Sequence, residues 1–245
     1  MKARTSRMIE LKHVVLASPE QMEFVIEGMR NPMNSWDRSD SGIMGDPFGE
    51  GRRDTFSLGK KDLFLMQDLC RAGTDHRKFM RMLPVYVRIT APLYWWKEFD
   101  TYKVGTVANS CSTMHKIHEN EFVTNDFSTE HLTTGSLRAL KDTIDILNDA
   151  REWYLKWDYM NEKDRENFDQ NIHEKKDLWW QMIQLLPSSY NQTRNVMMNY
   201  EVLANMYHSR KNHKLDEWRQ FCDWTKSLPY FEELIIDHVE GEESA

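Results

Sequence analysis

The apolar residues of this chain of 245 amino acids occur in short segments with two different spacings. Residues 8–16 and 82–90 roughly alternate between apolar and polar side chains and are rich in β-branched residues, which is typical of strands. In residues 60–71 the apolar side chains recur every three or four positions, which indicates a helix with one apolar face. We therefore predict an α+β fold that is rich in helices and contains a small antiparallel sheet.

Most of the remaining chain is predicted to be helical. Ser18 followed by Pro19 is typical of a helix start, because serine caps the first turn and proline fits its first position. Residues 31–59 are rich in Gly, Pro, Ser, Asp and Asn and predict one long loop, and residues 103–116 predict another that leads into a short helix. Nothing marks a boundary, so we predict a single domain over residues 1–245. The predicted helices are 19–29, 60–71, 93–102, 136–159 (capped by Ser136), 192–209 and 215–226, with helices joined near Asn161 between 153 and 180.

Composition argues against several classes of protein. The net charge of −7 argues against binding to nucleic acid, which depends on clustered lysine and arginine, although a local cluster of cations still suits a small anion. No run of about 18 apolar residues is present, so we expect no membrane-spanning helix. Three widely separated cysteines, Cys70, Cys111 and Cys222, argue against a disulfide framework. The first residues lack the apolar stretch of a secretion signal, and we expect a cytoplasmic protein.

Two local patterns favour ordinary interpretations. Cys111, His115 and His118 have a spacing that suggests a metal site, but no fourth ligand follows at a fitting distance, so we predict no bound metal. The charged residues of 161–177 are interpreted as a solvated helix face.

Three stretches of the chain, taken in order, resemble one protein family. They are residues 61–93, with Gly73-Thr74-Asp75-His76-Arg77-Lys78-Phe79 and a strand ending at Ala91-Pro92-Leu93; the helix and loop that follow; and residues 186–218, with Leu186-Pro187, Asn199-Tyr200-Glu201-Val202-Leu203-Ala204-Asn205-Met206-Tyr207-His208-Ser209-Arg210 and Trp218. This order and spacing is similar to that of the flavin-dependent thymidylate synthases. The resemblance implies their α+β fold, which is also known as the thymidylate synthase-complementing-protein fold.

The family's signature, Arg-His-Arg-x-x-Ser-x-Asn-x-x-Ser-x-Arg-Tyr, is only partly kept. Thr101 and Met114 replace two of its arginines, and Glu201 replaces another family arginine on the later helix. Arginine can donate two parallel hydrogen bonds to a phosphate. Thr101, Met114 and Glu201 cannot form this pair of bonds. The residues at the signature positions are Thr101, Tyr102, Lys103 and Thr106, followed, after one inserted residue, by Asn109, Ser112, Met114 and His115.

The resemblance also implies a reaction. Members of the family transfer a one-carbon unit from methylenetetrahydrofolate to deoxyuridylate (dUMP), with reduced FAD as the hydride source and NADPH as the reductant. They need no enzyme nucleophile, and they build their sites between the subunits of a homotetramer, which is implied here as well. Two alternatives stay open: a divergent enzyme that acts on another pyrimidine nucleotide, and a non-catalytic oligomer that binds a nucleotide or a flavin.

Site residues follow from the same resemblance. Arg210 matches an arginine that holds the nucleotide, whereas Asn205 and Asn199 match polar residues near the flavin, and we expect all three on one helix face. Residues 109–113 are predicted to contact substrate, although such residues also favour turns and helix caps. The predicted substrate-binding residues are Arg210, Ser110, Ser112, Asn109 and Glu98, and the predicted cofactor-binding residues are Asn199, Asn205, Tyr102, Lys103, Thr101 and His76; no catalytic residue is assigned.

Overall fold

The computed structural model of the chain describes residues 8–45, 54–166, 169 and 171–236. It contains strands and helices in mixed order along the chain. The strands are β1 (Glu10–Leu16), β2 (Gly42–Met44), β3 (Thr55–Ser57), β4 (Pro84–Pro92), β5 (Val107–Ser110) and β6 (Asn191–Asn199). The helices are α1 (Pro19–Arg30), α2 (Lys60–Arg71), α3 (Leu93–Phe99), α4 (Thr113–Lys116), α5 (Thr134–Lys156), α6 (Glu162–Glu166), α7 (Lys175–Leu185), α8 (Tyr200–Arg210) and α9 (Asp216–Lys226).

The strands form two small sheets. The larger one has the order β1-β4-β6-β5, so that β4 and β6 are interior strands. β2 and β3 form an antiparallel pair in which Ile43 lies opposite Phe56. Helices make up most of the rest, and the predicted helix-rich α+β class is confirmed.

The chain divides into two compact units, each built from separate segments of the sequence. Unit 1 contains the described residues of 1–10, 89–100 and 109–194, and unit 2 contains those of 11–88, 101–108 and 195–245. The prediction of a single domain stays a prediction.

The core of unit 1 is a helical layer formed by α5 and α7. Leu140, Ile144 and Leu147 recur at helical spacing on the buried face of α5, and they pack with Met182 of α7. The start of α5 differs from the prediction: Thr133, not Ser136, is the N-cap, because its hydroxyl accepts the backbone N–H of Ser136.

In unit 2, a buried ion pair fixes the segment that follows α1. Nε of Arg30 donates to Asp62 at 2.6 Å, and both side chains are almost completely buried. The hydroxyls of Ser39 and Ser41 donate to the same carboxylate. Burial raises the pKa of Asp62, but the hydrogen bonds from Ser41, Ser39 and Arg30 together lower it below its usual value. The carboxylate therefore stays ionised and organises a segment that composition alone predicted to be a loop.

The helix predicted over residues 192–209 is wrong in its first half. Residues 191–199 are β6, and α8 begins only at Tyr200. Gln192, Val196 and Met198 are buried on one side of the strand, which is the alternation expected of an interior strand. Met and Gln favour a helix in isolation, but pairing with β4 and β5 overrides that preference.

Smaller corrections concern loops and helix ends. The predicted loop 31–59 contains the β2–β3 pair, and its residues 46–53 lie outside the described residues. The predicted loop 103–116 contains β5, and the helix predicted over 93–102 ends at Phe99. The predictions for β1, α1, α2, β4 and α9 are confirmed to within about two residues, and the capping box at Ser18 has the expected form. Among the described residues, no helix is long and apolar enough to cross a membrane.

Candidate functional site

In unit 2, the chain around residues 101–106 packs against α8. The hydroxyl of Tyr102 accepts a hydrogen bond from Nε of Arg210 at 2.9 Å. The segment turns back after Lys103, where the hydroxyl of Thr106 donates to the backbone carbonyl of Tyr102. Tyr102, at one of the first signature positions, is thus in contact with Arg210, the arginine that the resemblance assigned to the nucleotide.

Gly105 allows the close approach of this segment to the start of α8. It has φ +78°, which favours glycine, and an added Cβ would lie 2.8 Å from Cγ2 of Val202 and 3.1 Å from Nδ2 of Asn199. Any other residue would be strained by its backbone and would push against the helix. The contact therefore requires glycine at this position.

Arg210 lies next to two aromatic rings at the end of α8. Its guanidinium carbon lies 5.0 Å from the ring centroid of Trp218 and 5.6 Å from that of Tyr102. Such cation–π contacts, together with the hydrogen bond to Tyr102, fix the orientation of the half-buried side chain. The structure thus brings together Tyr102, Arg210 and Trp218, which the resemblance had considered separately.

Glu201 pairs with Arg77, which comes from the turn before β4. Nε of Arg77 lies 2.9 Å from Oε2 of Glu201, and Nη2 donates to Oε1 at 3.2 Å. The two side chains are 19% and 10% exposed. The acidic residue that replaces a family arginine is therefore compensated by a neighbouring arginine, which sequence reasoning did not find because the two are 124 positions apart.

Of the two asparagines, Asn205 lies on a different helix face from Arg210. Asn199 is the N-cap of α8, where its side-chain oxygen accepts the N–H of Val202 at 3.0 Å. Asn205 is exposed. At about 100° per residue, Asn199 and Arg210 have nearly the same angle around the helix axis. Asn205 is rotated by roughly 120–140° from both of them. The expectation of one face for all three is therefore wrong for Asn205.

In unit 1, the predicted substrate residues lie on β5 and at the start of α4. Asn109 and Ser110 are exposed on β5. The hydroxyl of Ser112 caps α4 by accepting the N–H of His115 at 3.1 Å, so the cap interpretation accounts for this side chain. Glu98 is half-buried on α3.

Three further predicted residues are exposed in unit 2. Thr101 and Lys103 flank Tyr102, and His76 lies in the turn next to Arg77. Their exposure leaves them accessible to a ligand.

Arg194 of β6 belongs to a polar cluster in unit 1 that sequence reasoning missed. Its Nη1 donates to Asp100 at 2.7 Å, its Nε donates to Gln192 at 2.9 Å, and its guanidinium carbon lies 4.2 Å from the ring centroid of Trp96. Buried Gln192 in turn donates to the carbonyl of Cys111 at 3.0 Å. Interpretation of residues 191–199 as a strand would have placed Gln192 and Arg194 on one face, because alternate residues of a strand point to the same side.

The cysteines and histidines of the described residues form no metal-binding group of three or more ligands. Burial raises the pKa of Cys70 and of Cys222 to about 12, and both thiols are therefore protonated at neutral pH. Cys111 is exposed.

Solved structures similar to this chain are flavin-dependent thymidylate synthases. One is ThyX from Helicobacter pylori complexed with FAD and dUMP, with a TM-score of 0.60 and 16% identity over 94% of this chain and 99% of that one. The chain therefore has the fold of the flavin-dependent thymidylate synthases. A second structure of Helicobacter pylori ThyX with FAD and dUMP has a TM-score of 0.59 and 15% identity over 95% of this chain and 99% of that one. No sequence-family model and no curated protein matches the chain.

The donors in each unit are of types that bind a flavin or a nucleotide. In unit 2, Thr101 offers an exposed hydroxyl, and Lys103 and His76 offer exposed nitrogen donors for a phosphate or a ring carbonyl. In unit 1, Asn109 and Ser110 offer exposed amide and hydroxyl groups. The guanidinium of Arg77 is bound to Glu201. The chemistry of these donors fits such a ligand, with Lys103 at a position where the resemblance aligns an arginine.

Proposed function

We propose that the chain is an FAD-dependent enzyme of thymidylate synthase type, which transfers a one-carbon unit from methylenetetrahydrofolate to dUMP or a related pyrimidine nucleotide. The observation that carries the proposal is the match to an enzyme with FAD and dUMP over 94% of this chain and 99% of that one, which leaves little of either fold unmatched. NADPH would serve as the reductant, and a homotetramer would complete the sites.

The side chains divide into two groups under this proposal. Arg210 of unit 2 would bind the nucleotide, in the orientation set by Tyr102 and Trp218. In unit 1, the residues that would contact a nucleotide are Ser110, Ser112, Asn109 and Glu98. Bound FAD would supply the hydride. Its contacts would come from Thr101, Tyr102, Lys103, His76, Asn199 and Asn205.

A divergent substrate is the second candidate, and the Arg77–Glu201 pair favours it. A family arginine is replaced by a carboxylate that is itself neutralised, so this position offers no cation to a ligand. A pyrimidine nucleotide with a different ring substituent would suit such a changed donor set. The same observation favours, more weakly, a non-catalytic oligomer that binds a nucleotide or a flavin.

A product assay separates these candidates. The full chain is incubated with FAD, NADPH, methylenetetrahydrofolate and, in parallel, dUMP, UMP or dCMP, and the nucleotides are analysed by mass spectrometry. Methylated dUMP supports the first candidate, and a methylated product from another nucleotide supports the second.

Arg210→Ala and Arg210→Lys serve as the matched variants. Because a charge-assisted hydrogen bond contributes about 1.5–3 kcal/mol, nucleotide affinity should fall roughly 10- to 100-fold in Arg210→Ala and less in Arg210→Lys. Unchanged affinity in Arg210→Ala, with no product from any nucleotide, would leave only the fold in common with the enzymes.

A further inference from the structure

Unit 2 contains a cavity of about 210 Å³ between its strands and helices. Its wall is formed by the end of β1, by α1, β3 and α2, and by the starts of β4 and α8. Residues 229, 230 and 234, which follow α9, complete it. Among the described residues, none of those predicted to bind a nucleotide or a flavin lines this cavity, so it is not part of the candidate site.

The lining of the cavity is almost entirely apolar. Met66, Leu83 and Leu234 are buried and form its inner part. Only Tyr200 and Tyr230 contribute a polar side-chain group, and no charged side chain lines the cavity within the part of the chain that the structure describes. Because a buried water molecule needs roughly two to four polar partners, this lining suits an apolar occupant better than water.

Tyr200, the first residue of α8, is held in place by its neighbours. Its hydroxyl donates to the backbone carbonyl of Pro229 at 2.8 Å, and its ring centroid lies 5.9 Å from that of Phe231. Its backbone N–H donates to the carbonyl of Leu83 at 3.2 Å, which joins α8 to the residue before β4. Burial raises the pKa of Tyr200, so the hydroxyl stays protonated. This part of the wall is therefore preformed, and the hydroxyl oxygen can still accept a hydrogen bond from a ligand.

Tyr230, the second aromatic residue of the wall that carries a hydroxyl, has a strained backbone. Its φ is +60°, a region that bulky residues rarely adopt. Two backbone hydrogen bonds fix this turn: the N–H of Phe231 donates to the carbonyl of Leu228 at 3.2 Å, and the N–H of Leu234 donates to that of Tyr230 at 3.1 Å. Residues strained in this way are concentrated at ligand-binding positions. The strain at Tyr230 and the cavity beside it therefore point to the same function.

The longer segments outside the described residues do not suit this cavity, because they are rich in charge. Residues 1–7 contain three basic residues, residues 46–53 contain two acidic residues and two arginines, and residues 237–245 contain four acidic residues. Burial of such charges against an apolar wall without a partner is unfavourable. A neutral molecule from solution is the better occupant.

We infer that this cavity binds a small neutral aromatic molecule of one ring or two fused rings, with a single hydrogen-bonding group. An apolar cavity of roughly 150 Å³ binds benzene in another protein, so about 210 Å³ accommodates a ring system of the size of indole. Tyr200 and Tyr230 contact the ring, and a tyrosine hydroxyl pairs with its polar group. The inference does not depend on the reaction that the chain catalyses.

Calorimetric titration of the full chain tests the inference. The probes are indole and indole-3-carboxylate, which adds a negative charge to the same two rings. We expect indole to bind saturably at one site. Indole-3-carboxylate should bind at least about tenfold more weakly, because an apolar wall offers its carboxylate no partner. No saturable binding of indole, or binding of the carboxylate as tight as that of indole, would overturn the inference.

A variant that fills the cavity connects the binding to this place. Ala17 lines the cavity and is half-buried, so Ala17→Leu should occupy part of the volume without disrupting the core. It should weaken indole binding about tenfold, as expected when a ligand and a side chain compete for one space. Ala72→Leu, at an exposed position outside the cavity, is the matched control and should have no effect. Indole affinity within twofold of the wild type in Ala17→Leu would overturn the inference.

Tyr230→Gly is a second variant, which keeps the test valid if Ala17→Leu does not fold. Glycine adopts a φ of +60° without strain, so the turn should be retained. Loss of the aromatic contact should weaken indole binding about fivefold to tenfold. Indole affinity within twofold of the wild type in a folded Tyr230→Gly chain, as judged by circular dichroism, would overturn the inference.

Competition separates this inference from the proposed function. Saturating FAD or dUMP should leave the affinity for indole unchanged, and Arg210→Ala should bind indole as the wild type does. Displacement of indole by either compound would place indole in the proposed nucleotide or flavin site and overturn the inference. The flavin spectrum and the product assay contain no indole, so they test the proposed function independently.

Discussion

The two units contain ion pairs that differ in their exposure to solvent. In unit 2, Arg77 is 19% exposed and lies against a Glu201 side chain that is 10% exposed, in a geometry with two close nitrogen–oxygen contacts. In unit 1, Lys175 is 34% exposed and its partner Asp158 is 63% exposed. The first pair is withdrawn from solvent and joins the turn at residues 73–77 to α8, whereas the second remains in contact with water. The difference indicates that the arginine pair contributes to the stability of the fold, whereas the exposed lysine pair contributes little.

The most damaging change should be Glu201→Arg, which restores the residue type of the family. It would place two guanidinium groups together in a mostly buried position, and breaking such a pair costs about 3–5 kcal/mol. Unfolding in urea should show a loss of at least about 3 kcal/mol. The charge-reversed double variant Arg77→Glu with Glu201→Arg should recover part of it. A single variant as stable as the wild type would remove the structural role given to this pair.

Replacement of Gly105 should cost somewhat less. Gly105→Ala combines an unfavourable φ with a contact of 2.8 Å to Val202, and we expect a loss of about 2–3 kcal/mol. Gly73→Ala is the matched control, because Gly73 also has a positive φ (+95°) but an added Cβ would meet nothing within 4 Å. Thermal unfolding of both variants isolates the cost of the contact. Equal losses would mean that the segment at residues 101–106 does not pack closely on α8.

Asp158→Asn should change the stability very little. An exposed ion pair contributes less than about 1 kcal/mol, so the free energy of unfolding should remain nearly the same. Lys175 would lose its carboxylate partner. A loss of stability comparable with that of the Glu201 variants would contradict the contrast between the two units.

The smallest expected effect is a pH dependence from His208 of α8. Burial lowers its pKa, and the nearby charges of Lys211 and Arg77 lower it further. Because the folded state disfavours the protonated imidazole, this contribution to stability is present above the unfolded pKa of about 6.5 and is lost as the pH falls below it. His208→Gln should therefore flatten the dependence of the melting temperature on pH between about 7.5 and 5.5. An unchanged slope would contradict this assignment.

The sequence was most informative where local chemistry determined the structure. Helix α2 follows from apolar spacing and α1 from the cap at Ser18, and both are found where predicted. β6 was missed because its pairing with β4 and β5 involves residues about 100 and 85 positions away, which overrides local preference. The short β2–β3 pair was missed for a similar reason, since its strands lie in a segment with the composition of a loop.

The candidate site was predictable only in part. Tyr102 and Arg210 were selected through the family resemblance, and the structure places them in contact. The pairing of Glu201 with Arg77 depends on how α8 meets a distant turn, and no local pattern reports that. The solvated face predicted for residues 161–177 agrees with the exposure of Lys176 and the partial exposure of Lys175, whereas residues 167, 168 and 170 lie outside the described residues.

The absorption spectrum of the purified full chain tests the central claim most directly. It should be recorded with FAD after removal of the free cofactor, and again after addition of dUMP. A flavin-dependent thymidylate synthase-type protein should retain a flavin band that shifts when the nucleotide is added, and the shift should weaken in Arg210→Ala. A chain that retains no flavin, with or without dUMP, would contradict the claim.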